Sequence, residues 1–373
     1  MKLDVKKMPK LGFGLMRLPE TDGKIDIERV KGMIDSYMNA GFNYFDTAYV
    51  YHGGNSERVI KEALLGRYPR ESFTVATKLP AWSLKTEDDR EKVFNEQLER
   101  TGLDYFDYYL LHSLEDGSNY DVYEKLDCFN WCMKKKEEGK IRHFGFSFHG
   151  TPALLEKVLD LHPEVEFVQI QLNYADWDNQ VVNSGKLYEI LLRRNIPMII
   201  MEPVKGGTLA NLSPDLDEIF KTARPDKSTA SWAMRFCGSF EGIGTILSGM
   251  SNEEQVADNL STFTNFEPLT DSDKEAISKV LEKMLAAKLI GCTSCRYCVN
   301  GCPQNIQIPD IFGAVNTLRK FPGDNRPRFF YGSLTGHSGK ASDCIECGQC
   351  EGVCPQHLNI IELLKEAAEK LEK

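Results

Sequence analysis

At 373 residues and 42% hydrophobic content, the chain is long and apolar enough for a large barrel with an appendage or for two domains, which excludes a disordered chain. Its formal charge of −10 argues against a nucleic-acid partner, because binding a polyanion relies on clustered Lys and Arg. No run of about 18 apolar residues occurs and the start, Met1–Lys7, has no apolar core, so neither a membrane span nor a secretory signal is expected and the cytoplasm is the default location.

After a polar start, Leu11–Leu18 reads as a short strand in which Gly12 and Gly14 mark a close backbone approach. A helical pattern follows (Ile27, Val30, Met33, Ile34, Tyr37, Met38) and stops at Gly41. Further strands are expected at Asn43–Thr47, Phe73–Lys78, Phe106–His112, His143–Ser147, Phe167–Asn173, Pro197–Glu202 and Ile243–Ser248. Helices fill the gaps at about 55–66, 87–101, 119–138, 151–160, 180–195, 226–237 and 252–263. Several strands are apolar at nearly every position, as Ile196–Met201 is, which is how a strand reads with both faces buried in a parallel sheet. Strands and helices alternating over about 250 residues predict a (β/α)8 TIM barrel. A doubly wound open sheet is the rival, but Gly12-Phe-Gly14 runs into Leu-Met-Arg-Leu-Pro instead of completing G-x-G-x-x-G.

The composition shifts near Thr270, which places a barrel over residues 1–270 and a second, small and mainly helical domain over 271–373. An acidic turn (Asp271, Asp273, Glu275) opens a helix that runs to about Leu289. Cys128, Cys132 and Cys237 lie alone in apolar or helical surroundings and read as small buried hydrophobes. The remaining cysteines form two runs, Cys292-x-x-Cys295-x-x-Cys298-x-x-x-Cys302-Pro303 and Cys344-x-x-Cys347-x-x-Cys350-x-x-x-Cys354-Pro355. Such clustering in a chain without an export signal points to metal, not to disulfides. Between the runs lie a helical stretch, Ile311–Leu318, and a loop, Phe321–Gly339, and an amphipathic helix at about Ile360–Glu372 ends the chain.

Asn43–Glu57 carries the first chemistry. Asp46 stands at a strand end, Tyr51 follows in a Gly-containing loop, and Asn55 and Ser56 are placed to cap a helical turn. An acid at a strand end is most often a turn former, yet two later strand ends add Lys78 and His112 in order. Over residues 9–265 the chain resembles the aldo-keto reductases, which place an Asp, a Tyr five residues on, a Lys and a His at successive strand ends. The resemblance implies reduction of a small-molecule carbonyl, or oxidation of an alcohol, with NADP or NAD. In it Tyr51 is the proton donor, Lys78 stabilises its anion, Asp46 keeps Lys78 charged and His112 orients the carbonyl; a free phenol, with pKa near ~10, is otherwise a poor acid.

The implied cofactor contacts are Met16, Arg17, Ser147, Gln171, Met201, Ser248, Gly249, Ser251, Gln255 and Asn259. Five positions depart from the pattern of many members. Phe148 replaces the carboxamide asparagine and Met201 the ring-stacking aromatic. Gly249, Met250 and Gln255 stand where many members bind the 2′-phosphate with Lys, Ser and Arg, so a preference for NADPH does not follow. The pocket for substrate is expected from Trp82–Asp88, Glu115–Tyr120 and Trp177.

The cysteine runs resemble bacterial two-cluster ferredoxins, and their long helical spacer resembles the all-helical type. That resemblance assigns Cys292, Cys295, Cys298 and Cys354 to one 4Fe–4S cluster and Cys302, Cys344, Cys347 and Cys350 to the other, whereas zinc favours two separated cysteine pairs around a knuckle. The clusters either exchange electrons with an external carrier or only staple the domain. Hydride carries two electrons and each cluster accepts one, so joining the two chemistries calls for a flavin, FMN or FAD, at or beside the barrel mouth. A non-catalytic redox-sensing barrel is the remaining reading, and the complete set Asp46, Tyr51, Lys78 and His112 counts against it.

Overall fold

The computed structural model describes residues 3–115, 118–179, 182–320 and 326–373. Its chain divides by contacts into two units, Met1–Pro203 with Met234–Pro268, and Val204–Ala233 with Leu269–Lys373. Val204–Ala233, which the sequence reading counts with the barrel, thus groups with the second unit.

The first unit is a closed barrel of parallel strands. They are β1 (Leu11–Gly14), β2 (Tyr44–Asp46), β3 (Thr74–Pro80), β4 (Phe106–Leu114), β5 (Ile141–Phe148), β6 (Phe167–Gln171), β7 (Met198–Met201) and β8 (Ile243–Ser248). Each pairs with its neighbour in sequence, and β8 closes on β1 through Leu11 opposite Ile246 and Phe13 opposite Ser248. β1 is shorter than expected. It ends at Gly14, and a hairpin of Glu20–Thr21 and Lys24–Ile25 follows, turned by Asp22 and Gly23 at φ 52° and 73°.

Tyr44, Ala76, Tyr108, Leu110, Phe167, Ile199 and Leu247, drawn from different strands, pack in one buried cluster inside the barrel. A strand repeats its face every second residue. The positions two or more residues further along the same face are therefore Asp46, Lys78, His112, Gln169, Gln171 and Met201 (three of the four catalytic candidates among them). An inward-pointing polar set above an apolar plug, at the carboxyl ends of the strands, is where this fold places chemistry.

The helix expected at 119–138 is two, Ser118–Lys125 and Cys128–Glu137, broken where Asp127 takes φ 50°. The one expected at 55–66 is α-helical over Asn55–Val59 and continues as a wider π turn over Ile60–Leu64. Helices Asp88–Thr101, Pro152–Leu161, Ser184–Arg193, Thr229–Gly238 and Glu253–Thr264 fall close to their expected places, and residues 180 and 181 lie outside the described residues.

The second unit is helical. Asp271–Ala287 opens on a capping box in which Thr270 and Asp273 bond reciprocally, and Arg224 of the helix Pro214–Ala223 segment holds Asp273 at 2.9 Å. Ile308–Lys320 and Ile360–Leu371 pack around Ile311, Phe312, Val315, Ile360 and Leu364. The stretch 321–339, expected as loop, contains the helix Arg326–Thr335; residues 321–325 lie outside the described residues. Tyr331 on this helix is buried and its hydroxyl accepts from Ala341 N at 2.8 Å, which gives an aromatic-rich segment a reason to fold. Among the described residues no helix is long and apolar enough to cross a membrane.

Candidate active site and cluster cavities

Lys78 is almost completely buried, and its Nζ donates to Asp46 Oδ1 at 2.6 Å and to the Thr47 carbonyl at 2.7 Å. Burial pushes the Asp46 carboxyl up and the Lys78 ammonium down, and their mutual attraction opposes both shifts. Gln169 Nε2 donates to the other Asp46 oxygen at 3.2 Å. The Tyr51 ring centroid lies 5.0 Å from Lys78 Nζ and 6.0 Å from the centroid of the His112 ring. All four predicted residues therefore converge at one end of the barrel.

The loop that carries Tyr51 is bent by three successive left-handed residues, His52, Gly53 and Gly54, at φ 50°, 61° and 91°. The left-handed φ of Gly54 favours glycine there, and a Cβ would also lie 2.8 Å from the Arg100 guanidinium, which would have to shift. Ser56 does not cap the following helix. Its hydroxyl bonds the Leu15 carbonyl at 2.9 Å and Thr47 Oγ1 at 2.7 Å, tying the ends of β1 and β2 together.

His112 is buried and held neutral: burial, then the charges of Lys78 and His149, drop its pKa well below the usual histidine range. Its Nδ1 has no hydrogen-bond partner among the described residues. Trp82, half exposed, sits 5.1 Å from the His112 ring and forms part of the expected pocket wall. Trp177 instead stacks on Phe240 at 4.7 Å, with Phe236 and Tyr188 around it. Of the expected loop Glu115–Tyr120, residues 116 and 117 lie outside the described residues.

Behind Lys78 is a buried network that sequence reading missed. Glu57 accepts from Thr77 at 2.6 Å, Gln97 at 2.8 Å and Arg100 at 3.1 Å, and Gln97 also donates to the Lys78 carbonyl at 3.1 Å. Burial pushes the Glu57 carboxyl up while these donors pull it down. Little in the sequence signals it, because Glu57 stands among Asn55, Ser56 and Arg58 in a short polar helix.

Gln171 and Met201 are opposite each other on β6 and β7. Gln171 Oε1 accepts from His149 Nδ1 at 3.3 Å, and its Nε2 is buried without a partner among the described residues. Ser147 Oγ accepts from Ser113 N at 2.8 Å, which leaves its proton for another acceptor. At β8, Ser248 Oγ accepts from Asn259 at 2.9 Å, Ser251 N donates to Gln255 at 2.7 Å, and Ser251 Oγ donates to the Arg17 carbonyl at 2.7 Å. A Cβ on Gly249 would lie 3.3 Å from the Arg17 side chain, so these expected contacts share one surface; Met16, next to Arg17, is half-buried.

In the second unit, Cys292, Cys295, Cys298 and Cys354 line one cavity, and Cys302, Cys344, Cys347 and Cys350 line another. Both linings are otherwise largely apolar, and burial pushes the Cys350 thiol up to about 11 and the Cys298 thiol higher, with neighbouring cysteines adding to the push. The irons of a cluster would supply the positive charge that favours the thiolate form of these two.

The Aldo/keto reductase family model matches residues 10–282, and a 4Fe-4S dicluster domain model matches 291–359. An L-galactose dehydrogenase of Arabidopsis thaliana is 28% identical over 296 residues, which cover 74% of this chain and 90% of that protein. An aldo-keto reductase of Mycobacterium avium is 27% identical over 261 residues, 70% of this chain and 82% of its own. An aldo-keto reductase structure from Bacillus halodurans superposes with TM-score 0.59 at 23% identity, covering 73% of this chain and 92% of that one. A Klebsiella pneumoniae aldo/keto reductase in complex with NADP and acetate gives TM-score 0.58 at 19% identity, covering 74% and 92%.

Proposed function

The chain belongs to the aldo/keto reductase family of oxidoreductases, and from that premise we propose that its barrel, residues 1–270, reduces a small-molecule carbonyl with a nicotinamide dinucleotide, Tyr51 giving the proton. Residues 271–373 form the 4Fe-4S dicluster domain in this reading. The observation that carries the proposal is the Lys78 ammonium, buried between Asp46 and the Thr47 carbonyl and set against the Tyr51 ring.

A carbonyl that accepts hydride develops negative charge on oxygen. The Tyr51 hydroxyl donates its proton to that oxygen, and the Lys78 charge lowers the free energy of the phenolate left behind. Asp46 holds Lys78 in place and charged against the cost of burial. His112, neutral, donates an N–H to the carbonyl oxygen without competing as an acid, because its own pKa is far below neutrality. Trp82 shields this point from water.

Bound nicotinamide would supply the hydride. Gln171 fits its carboxamide, since the buried Nε2 needs an acceptor, and Ser147 has a hydroxyl proton to give. Met201 would pack on the ring, and Met16, Arg17, Ser248, Gly249, Ser251, Gln255 and Asn259 would hold the rest of the dinucleotide. The NADP complex of the Klebsiella relative supports this class of cofactor. Cys292, Cys295, Cys298 and Cys354 would hold one cluster and Cys302, Cys344, Cys347 and Cys350 the other, each able to take up one electron from an external carrier.

Tyr51→Phe tests the assignment. It should lower carbonyl turnover by about 10²–10⁴ while leaving dinucleotide affinity nearly unchanged. Wild-type turnover in that variant would remove Tyr51 from the reaction.

A further inference from the structure

The two cysteine runs end alike, Cys302-Pro303-Gln304 and Cys354-Pro355-Gln356, and each glutamine lines the cavity of the cysteine before it. The surroundings of the two glutamines differ. Gln304 is half-buried, whereas Gln356 is only 5% exposed and its Nε2 has no partner among the described residues. Gln356 Oε1 faces Lys205 Nζ at 3.5 Å. Lys205 is itself buried, and its Nζ lies 3.6 Å from where a Cβ on Gly291, the residue before Cys292, would be.

The turn Lys205–Gly207 is wedged there by design of its backbone. Gly206 has φ 63°, and a Cβ on it would come within 2.2 Å of the Thr293 carbonyl, so only glycine brings Lys205 this close to Gly291–Thr293. The first cavity also has Arg296 on its lining, but that side chain is half exposed, where water screens its charge, and it is held by Asp310 at 2.7 Å. Beside the second cavity, Lys365 reaches Glu346, between Cys344 and Cys347, at 3.2 Å. It is half exposed and also paired with Glu362. Amides thus line both cavities, but among the described residues the buried cation, Lys205, and the buried amide, Gln356, stand together beside the first, and the cation near the second is half exposed.

We infer that Lys205 and Gln356 are positioning residues that make the cluster held by Cys292, Cys295, Cys298 and Cys354 the more easily reduced of the two. The inference rests on the cluster reading above. Reduction adds one electron and no atom, so the reduced cluster carries one more negative charge. A buried ammonium stabilises that added charge, and Lys205, by holding Gln356 Oε1, turns Nε2–H toward the cluster sulfurs as a further donor. The first electron to enter the domain resides at this site, and the second passes to the cluster lined by Cys347, which is exposed.

The test is an anaerobic redox titration of the full-length holoprotein, followed by electron paramagnetic resonance, beside iron analysis. Wild type should give two resolved one-electron steps. Lys205→Met should make the easier reduction about tenfold less favourable, about 59 mV for a one-electron couple, and leave the other step in place. Lys205→Arg should restore it. Gln356→Leu should move the same step in the same direction, and Gln304→Leu should not move it; if Lys205→Met lowers iron content, the two glutamine variants decide the matter. With full iron retained, coincident wild-type steps, an unmoved easier step or a shift of the harder one would overturn the ordering. Absence of iron from wild type would instead overturn the cluster reading beneath it.

Discussion

Replacing Asp46 with Asn isolates what the buried ion pair does. The substitution keeps the shape and an acceptor for Lys78 Nζ, now 2.6 Å from Asp46 Oδ1, but deletes the negative charge. With the charge centres roughly 4 Å apart and an effective dielectric near 20, the lost attraction is about 4 kcal/mol, all of it at the expense of the charged form of Lys78. Burial already lowers that pKa, so removing its opponent lowers it further. The sign follows directly: the Lys78 charge is present below its pKa and lost above it. The variant's kcat should therefore fall with rising pH earlier than that of wild type, with a loss at neutral pH on the order of 10²–10⁴ and partial recovery in acid. The assay is single-turnover oxidation of reduced nicotinamide across pH, with dinucleotide binding as the check on folding. Stability supplies a second reading. Asp46→Asn alone should cost about 3–5 kcal/mol by leaving a buried ammonium unpaired, and adding Lys78→Met should recover part of that loss. A wild-type pH profile at wild-type turnover would refute the role given to the pair.

Cys354→Ser should damage the cluster of Cys292, Cys295 and Cys298, not the one beside it in sequence, because Cys354 lines that cavity; metal analysis and paramagnetic resonance of protein prepared without oxygen check this, and zinc in place of iron would refute it. If the clusters draw electrons from nicotinamide, denatured protein should release FMN or FAD and mixing native protein with NADPH should bleach the cluster absorbance. Oxidised clusters during carbonyl turnover, without flavin, would make them structural.

Much of the barrel was legible because a buried parallel strand writes itself as a continuous apolar run, and each such run in this chain became a strand. The site was legible for the same reason. Asp46, Lys78 and His112 each interrupt an apolar run at its end, and a period of two fixes the face they share. What stayed hidden were features whose signal is not periodic. The Asp22-Gly23 turn is a strong hairpin signal, but its strands are only two residues each and too short to alternate. Arg326–Thr335 reads as loop from its Gly, Pro and aromatic content, yet the burial of Tyr331 overrides that local preference.

Glu57, Gln97 and Arg100 were missed for a different reason: each is unremarkable alone, on helices whose polar positions usually face water. Their meaning lies in who meets whom at a distance along the chain, Arg100 crossing 43 residues to Glu57, and Gln97 reaching Glu57 across 40 and the Lys78 carbonyl across 19. Buried charge needs such company, since an unpaired carboxylate at the position of Glu57 would be untenable. The network thus does for the backbone of Lys78 what Asp46 does for its side chain. It fixes the strand end from which the ammonium projects, so that the charge stands under Tyr51 before any substrate arrives. Preorganisation of this kind puts the energetic cost of orienting Lys78 into folding and keeps it out of the reaction barrier.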